Sequence, residues 1–227
     1  MRTAGVVGGF GPQTTARFYE RVFFACQHAA PDVKPHILIS SVPLPFQIEN
    51  NAILNNEGVD DYLPYLITET RRLEAAGADF IVMPCNSLHI HIDALRSGIG
   101  IPFLSIIQES ADFLVSHSIQ RVAVLSTAMT AYHRLYEKGL STCGIYCITP
   151  DQDQQHLLNE IVLHLVNGRN EYHDRETLRE VMRSFTDADC ILLACTDLQL
   201  LDLDHPTLPV FDTMQILVTA TVRELLK

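Results

Sequence analysis

Positive charge is scarce in this sequence. Lys and Arg number 16 against 27 Asp and Glu, a net charge of -11 over 227 residues. No basic run supplies the phosphate contacts that a nucleic acid or an anionic membrane surface requires. Long apolar runs are also missing, so no segment reaches membrane-spanning length. The opening residues MRTAGVVGGFGP carry one Arg and then a short apolar run broken by glycines. They lack the longer apolar core and small-residue cleavage site of a secretory leader. Six scattered cysteines without an export signal therefore read as thiols of a cytoplasmic chain rather than as a disulfide framework. With 47% hydrophobic residues, the chain has enough apolar side chains to bury an ordinary core without cross-links.

What the sequence has is alternation. Short apolar runs rich in β-branched residues (TAGVVG, HILISSV, DFIVMPC, IPFLSI, RVAVLS, GIYCITP, CILLAC and LPVFDT) alternate with longer segments of helical period such as TTARFYERVFFACQ, DDYLPYLITETRRLEAAG and TMQILVTATVRELL. Near-continuous apolar strands need helices on both faces, so the class is α/β with mostly parallel sheets. Pro64 either begins or kinks its helix.

The chain also repeats itself weakly. AGVVGGFGPQTTARFYERV from Ala4 resembles VAVLSTAMTAYHRLYEKGL from Val122, and at similar distances beyond them stand DFIVMPCNSLHIHI and DCILLACTDLQLL. The expectation is two pseudo-symmetric lobes, residues 1–100 and 101–210, with a C-terminal helix over 211–227 returning to the first. Ligands of open α/β sheets bind beyond the carboxyl ends of the strands, so Cys85 and Cys195, each ending a strand, are expected on opposite walls of one cleft.

Asn86-Ser87 and Thr196-Asp197 follow these cysteines and suit a helix N-cap, whose amides would lower a thiol's pKa. Cys26, Cys143, Cys147 and Cys190 read instead as small buried hydrophobes. Cys85 with His89 and His91 forms a C-x3-H-x-H cluster, but a helix would turn the last residue away, so no metal site is expected. GGFGP lacks the third glycine of a dinucleotide loop, Thr14 standing in its place. It reads as a tight turn whose amides, near Gly9 and Phe10, approach a small anion. STAMT, with Thr127 and Thr130, is the second lobe's counterpart, serving either that role or ordinary capping. Asp79 and Asp189 are placed at strand starts, away from the cleft.

Taken in order, GVVGGFGP, GADFIVMPCNSLH, VAVLSTAMT, LLACTD and VFDT resemble the aspartate/glutamate racemase superfamily, in its aspartate-racemase-like branch, over nearly the whole chain. The resemblance implies a free amino acid as substrate, no cofactor and no pyridoxal phosphate, a homodimer, and Cys85 and Cys195 as acid/base pair, serving the D- and L-enantiomer respectively. Gly9, Phe10, Gln47, Asn86, Ser87, Thr127, Thr130 and Thr196 are the candidates for holding the substrate. Ser87 stands where the family usually has Thr, and Asp197 where it has Glu. The loop SVPLPFQIENN has Gln47 and Glu49 but no arginine to hold a distal carboxylate, with Arg169 as the nearest substitute. Rival readings are a decarboxylase or isomerase of the same superfamily, which would keep one cysteine or add covalently through it, and a non-catalytic amino-acid sensor, which would be expected to lose a thiol. A disulfide redox pair fails because thiols separated by a substrate lie too far apart to bridge.

Overall fold

The computed structural model describes residues 1–55, 57–169 and 171–227, apart from the side chains of residues 50 and 53–55. Its first part runs β1 (Thr3–Gly8), α1 (Pro12–Ala29), β2 (His36–Ser41), α2 (Phe46–Asn55), α3 (Leu63–Ala75), β3 (Phe80–Val82), α4 (Ile92–Ser97) and α5 (Ile106–Ser116). The second runs β4 (Arg121–Leu125), α6 (Ala128–Tyr132), α7 (Leu135–Ser141), β5 (Tyr146–Ile148), α8 (Gln152–Val166), α9 (Tyr172–Arg183), β6 (Cys190–Leu193), β7 (Val210–Asp212) and α10 (Thr213–Leu225). Every pairing between these strands is parallel. The sheets have the orders β2-β1-β3 and β5-β4-β6-β7, and each with its helices forms a lobe of an α/β fold.

Burial explains the strand sequences. In β1, β3, β4 and β6 nearly every residue is buried because helices cover both faces, whereas β2 and β5, at sheet edges, are half open to solvent. Asp79 accepts the Thr3 amide at 2.6 Å and Asp189 the Arg121 amide at 2.8 Å, so both acids pin the starts of strands, at the end of each sheet opposite the cysteines.

Two local expectations are corrected. IPFLSI is no strand: only Phe103 bridges Ile81, covering the outer edge of β3. The run after β2, SVPLPFQIENN, read as a loop, becomes helix α2 from Phe46, because no proline follows Pro45 within it and the chain is free to coil. Pro64 sits in the first turn of α3, where its missing N–H is harmless, so that helix starts there rather than kinking.

The last helix is tied in from both directions. Asp212 caps α10 by accepting the Met214 amide and pairs with Arg21 of α1 at 2.9 Å. Met214, Leu217 and Val218 pack with Val6, Phe18 and Phe80 of the first lobe, and Ile216 with Val122 and Leu192 of the second.

Candidate active site

Because the strands are parallel, Gly8, Val82, Leu125 and Leu193 all end at the carboxyl edges of their sheets. The chain leaves β3 through Met83 and Pro84 to Cys85, and β6 through Ala194 to Cys195. Both thiols line one cleft, one contributed by each lobe, and they share it with Phe10, Gly11, Asn86, Ser87, Thr127 and Thr196. The cysteine loops touch directly: the Thr196 hydroxyl donates to the Pro84 carbonyl at 3.2 Å.

The lobes interlock by a reciprocal pattern. Ser87, two residues beyond Cys85, has its hydroxyl 2.8 Å from that of Thr127 and 3.0 Å from that of Thr130, at the start of α6 in the other lobe. Asp197, two residues beyond Cys195, accepts from the Thr14 hydroxyl at the start of α1 in the first lobe. Thr14 and Thr130 both stand third in their helices, after the caps Gly11 and Thr127. Gly11 has φ 78°, and a Cβ there would lie 2.8 Å from the Asp197 carboxylate, so both the turn and the latch require glycine.

Both thiols are raised in pKa, which corrects the expectation of depressed values. Burial is the main cause, and it pushes Cys85 up to about 12. The Ser87 and Leu88 amides lower Cys85 and the charge of Asp197 raises it. For Cys195, burial and then the Asp197 charge push the thiol up, partly offset by amides of Asp197 and Leu198. The amides do point at sulfur as the helix-start reading required. They belong to short 3-10 turns with no side-chain cap at Asn86 or Asp197, however, and they do not outweigh desolvation. Asp197 itself, 4.0 Å from the Cys195 sulfur, is raised to about 6 by burial against the pull of the Thr14 hydroxyl.

The remaining candidates divide. Phe10 lies against Tyr62 on the cleft wall, with ring centroids 6.0 Å apart. Thr127 lines the cleft and also caps α6 by accepting the Thr130 amide, so both readings of STAMT apply. Thr130 is behind it, holding Ser87 and Thr127. Asn86 reaches the cleft, but its amide is engaged inward, donating to Thr213 at 3.1 Å and accepting from Tyr136 at 2.6 Å. Gly9 and Gln47 are not on the cleft: the Gly9 amide donates to the Thr15 hydroxyl, and Gln47 is exposed on α2. Arg169 is exposed and does not line it either. Cys143 is exposed rather than buried, and Cys147 only partly buried.

His89 holds Cys85 from behind. With Nδ1–H donating to the Cys85 carbonyl at 2.7 Å and Nε2 accepting the Ile106 amide at 3.1 Å, both ring nitrogens are occupied, and burial lowers its pKa to about 4. His91 bonds the Val59 carbonyl instead. His89 thus has no ring nitrogen free to join Cys85 at a metal, and His91 is turned to a different partner.

Several cleft residues escaped the sequence reading. Asp197 was legible from its place beside Cys195. Glu49, visible in the sequence only as a loop carboxylate, reaches the cleft from α2, and Tyr62 and Asn159, not legible at all, reach it from a turn and α8.

Comparison with known proteins is consistent with this geometry. The Asp/Glu/hydantoin racemase family model matches residues 7–221. A broad specificity amino-acid racemase, RacX of Bacillus subtilis (strain 168), is 30% identical with 96% of each chain covered. A crystal structure from Yersinia pestis, presented as a candidate Asp/Glu racemase, superposes with TM-score 0.86 at 25% identity over 100% of both chains. The aspartate racemase of Picrophilus torridus superposes with TM-score 0.80 at 24% identity, over 99% of this chain and 94% of its own, a likeness of fold.

Proposed function

The chain belongs to the Asp/Glu/hydantoin racemase family, and on that basis we propose that it is a cofactor-independent amino-acid racemase whose Cys85 and Cys195 carry the Cα proton. The observation that carries this reading is the pair of thiols, each at the end of a strand in its own lobe, lining a single cleft. Racemisation removes a proton from one face of Cα and returns one to the other, so it needs two acid/base groups with the carbon between them.

Raised thiol pKa values suit this task once the substrate is bound. A thiolate of high pKa is a strong base toward a weak carbon acid. An entering α-ammonium group supplies the positive charge that favours thiolate formation in a site where Asp197 opposes it. Asp197 Oδ2, 4.0 Å from the Cys195 sulfur, is the carboxylate beside that thiol and is placed to hold the ammonium group there. The Ser87 and Thr127 hydroxyls and the amides beyond each cysteine supply donors for the carboxylate and for the charge it gains as Cα loses its proton. Each positioned acid or base contributes about 10²–10⁴-fold, so the donors and the exclusion of water must supply the rest.

Substrate choice extends beyond aspartate. Among the described residues no Arg, Lys or His lines the cleft, so a side-chain carboxylate has no bidentate partner, and the Bacillus subtilis relative is itself named for broad specificity. The homodimer implied by the resemblance belongs to the same proposal.

The test is incubation of the protein with each L-amino acid in D2O, following Cα deuteration and optical rotation together. Deuterated product of both hands is expected, in buffer containing EDTA and no pyridoxal phosphate. Failure of every amino acid to exchange, or activity that chelation abolishes and zinc restores, overturns the reading.

A further inference from the structure

Helix α2 brings Glu49 and, one turn later, Ala52 to the cleft. The cleft that Glu49 lines is largely apolar, with Phe10, Tyr62, Met129 and Val162 among its walls. Its carboxylate is partly buried and makes no ion pair or side-chain hydrogen bond with any described residue, and burial raises its pKa. An unpaired carboxylate in such surroundings destabilises the protein that carries it. Its charge also raises Cys85 and Asp197, in each case less than the nearer influences do. Glu49 lines the same cleft as both thiols, but from α2 rather than from either cysteine loop, so it is available to a substrate's side chain.

The cleft has two carboxylates, whereas a neutral amino acid brings one ammonium group to pair with them. Glu49 and Asp197 are the two, and no described cationic side chain lines the cleft. Every α-amino acid brings a carboxylate and an ammonium group to Cα; the neutral donors beyond the cysteines take the carboxylate, and Asp197, beside Cys195, is the cleft carboxylate placed to meet the ammonium. Glu49 is then left without a counter-charge unless the side chain supplies one. Resting on the racemase reading, we propose that Glu49 determines specificity and that the preferred substrates are amino acids whose side chains end in an ammonium or guanidinium group. A side-chain carboxylate is correspondingly repelled. The chain's net charge of -11 attracts cationic substrates in the same sense.

Pairs of near-equal shape that differ in charge separate this from mere side-chain length: L-arginine against L-citrulline, L-lysine against L-norleucine, and L-glutamate against L-glutamine. For the wild type, kcat/KM from Cα deuteration is expected to favour arginine over citrulline by about tenfold or more, as one desolvated ion pair provides, and to be lower for glutamate than for glutamine. In Glu49→Gln the arginine-to-citrulline ratio of kcat/KM should shrink to within about threefold, whatever change the two substrates share. Equal turnover of arginine and citrulline by the wild type overturns the proposal without any variant, and so does an arginine advantage that survives in a folded Glu49→Gln. Should no amino acid exchange at all, the racemase reading fails by itself. Thermal-shift titration then decides the pocket's preference: tighter binding of arginine than of citrulline supports it, and equal binding overturns it.

Discussion

Thr14 donates its hydroxyl to the carboxylate of Asp197, a residue 183 positions further along the chain and on the other lobe. The bond joins the first turn of α1 to the loop that carries Cys195, and Ser87 with Thr130 forms its counterpart beside Cys85. Each cysteine loop is thus held by the opposite lobe's first helix after a strand. The position of each thiol depends on how the lobes meet.

Removing the Thr14 hydroxyl should therefore loosen Cys195 rather than Cys85. Thr14→Val leaves a buried carboxylate short of a donor and is expected to reduce stability by about 1–3 kcal/mol. It should also move the Asp197 pKa further up, while Thr14→Ser restores both. Chemical denaturation gives the first quantity and the acid limb of the pH–rate profile the second. A valine variant with wild-type values for both would show that the latch carries no energy.

Gly11→Ala forces a left-handed turn on a residue with a side chain and drives its Cβ to 2.8 Å from Asp197. A loss of about 1–3 kcal/mol is expected from the strain, with lower kcat. In an Asp197→Ala background the same substitution should cost less, since the collision is removed and only the backbone strain remains. Strictly additive losses in this double-mutant cycle would contradict the contact.

Stability against pH offers a check on two buried groups whose effects oppose each other. Asp197 is raised from 3.8 to about 6, so between those values the native state holds a proton that the unfolded state has released. Its contribution to stability therefore falls as pH rises through that window, by about 3 kcal/mol in all. His89 is lowered from 6.5 to about 4, so the unfolded state holds the extra proton there. Its contribution is full above pH 6.5 and is lost as pH falls toward 4. Asp197→Asn should remove one slope and leave the other, making stability rise more steeply between pH 4 and 6 than in the wild type. Parallel curves for the two proteins would mean that Asp197 is already ionised in the native state at pH 4.

Replacing either cleft cysteine by serine should abolish racemisation, by about 10³-fold or more, because a hydroxyl is far too weak a base at neutral pH. The damage should be one-sided: Cys195→Ser should still exchange the Cα hydrogen of one enantiomer in D2O, and Cys85→Ser that of the other. Equal residual exchange of both enantiomers in either variant would indicate a single base, and full activity would remove that cysteine from the mechanism.

Alkylation should follow exposure and pKa. Iodoacetamide at neutral pH is expected to label the exposed Cys143 well before Cys85, whose thiol is pushed up to about 12. Peptide mapping over time reads the order, and raising the pH should bring Cys85 labelling and loss of activity forward together. Early labelling of Cys85 at neutral pH would show that its thiolate is stabilised in the free enzyme.

The sequence by itself determined the parallel α/β class, the duplicated strand–turn–helix pattern and the place of Cys85 and Cys195 at strand ends, because these depend on local period and on burial that strands carry in their composition. It also contained the family's motifs, which span both halves of the chain. Only the tertiary structure decided what surrounds the thiols. Thr14 and Asp197, or Asn86 with Tyr136 and Thr213, find each other across distances in sequence that no local pattern encodes. The direction of the thiol pKa shifts was likewise not legible, because it is set by how far burial outweighs a few helix-start amides, and burial is a property of the closed fold. Glu49 shows the same division: its carboxylate was visible in the sequence, but only the coiling of Phe46–Asn55 into a helix turned it toward the cleft while leaving Gln47, two residues earlier, in solvent.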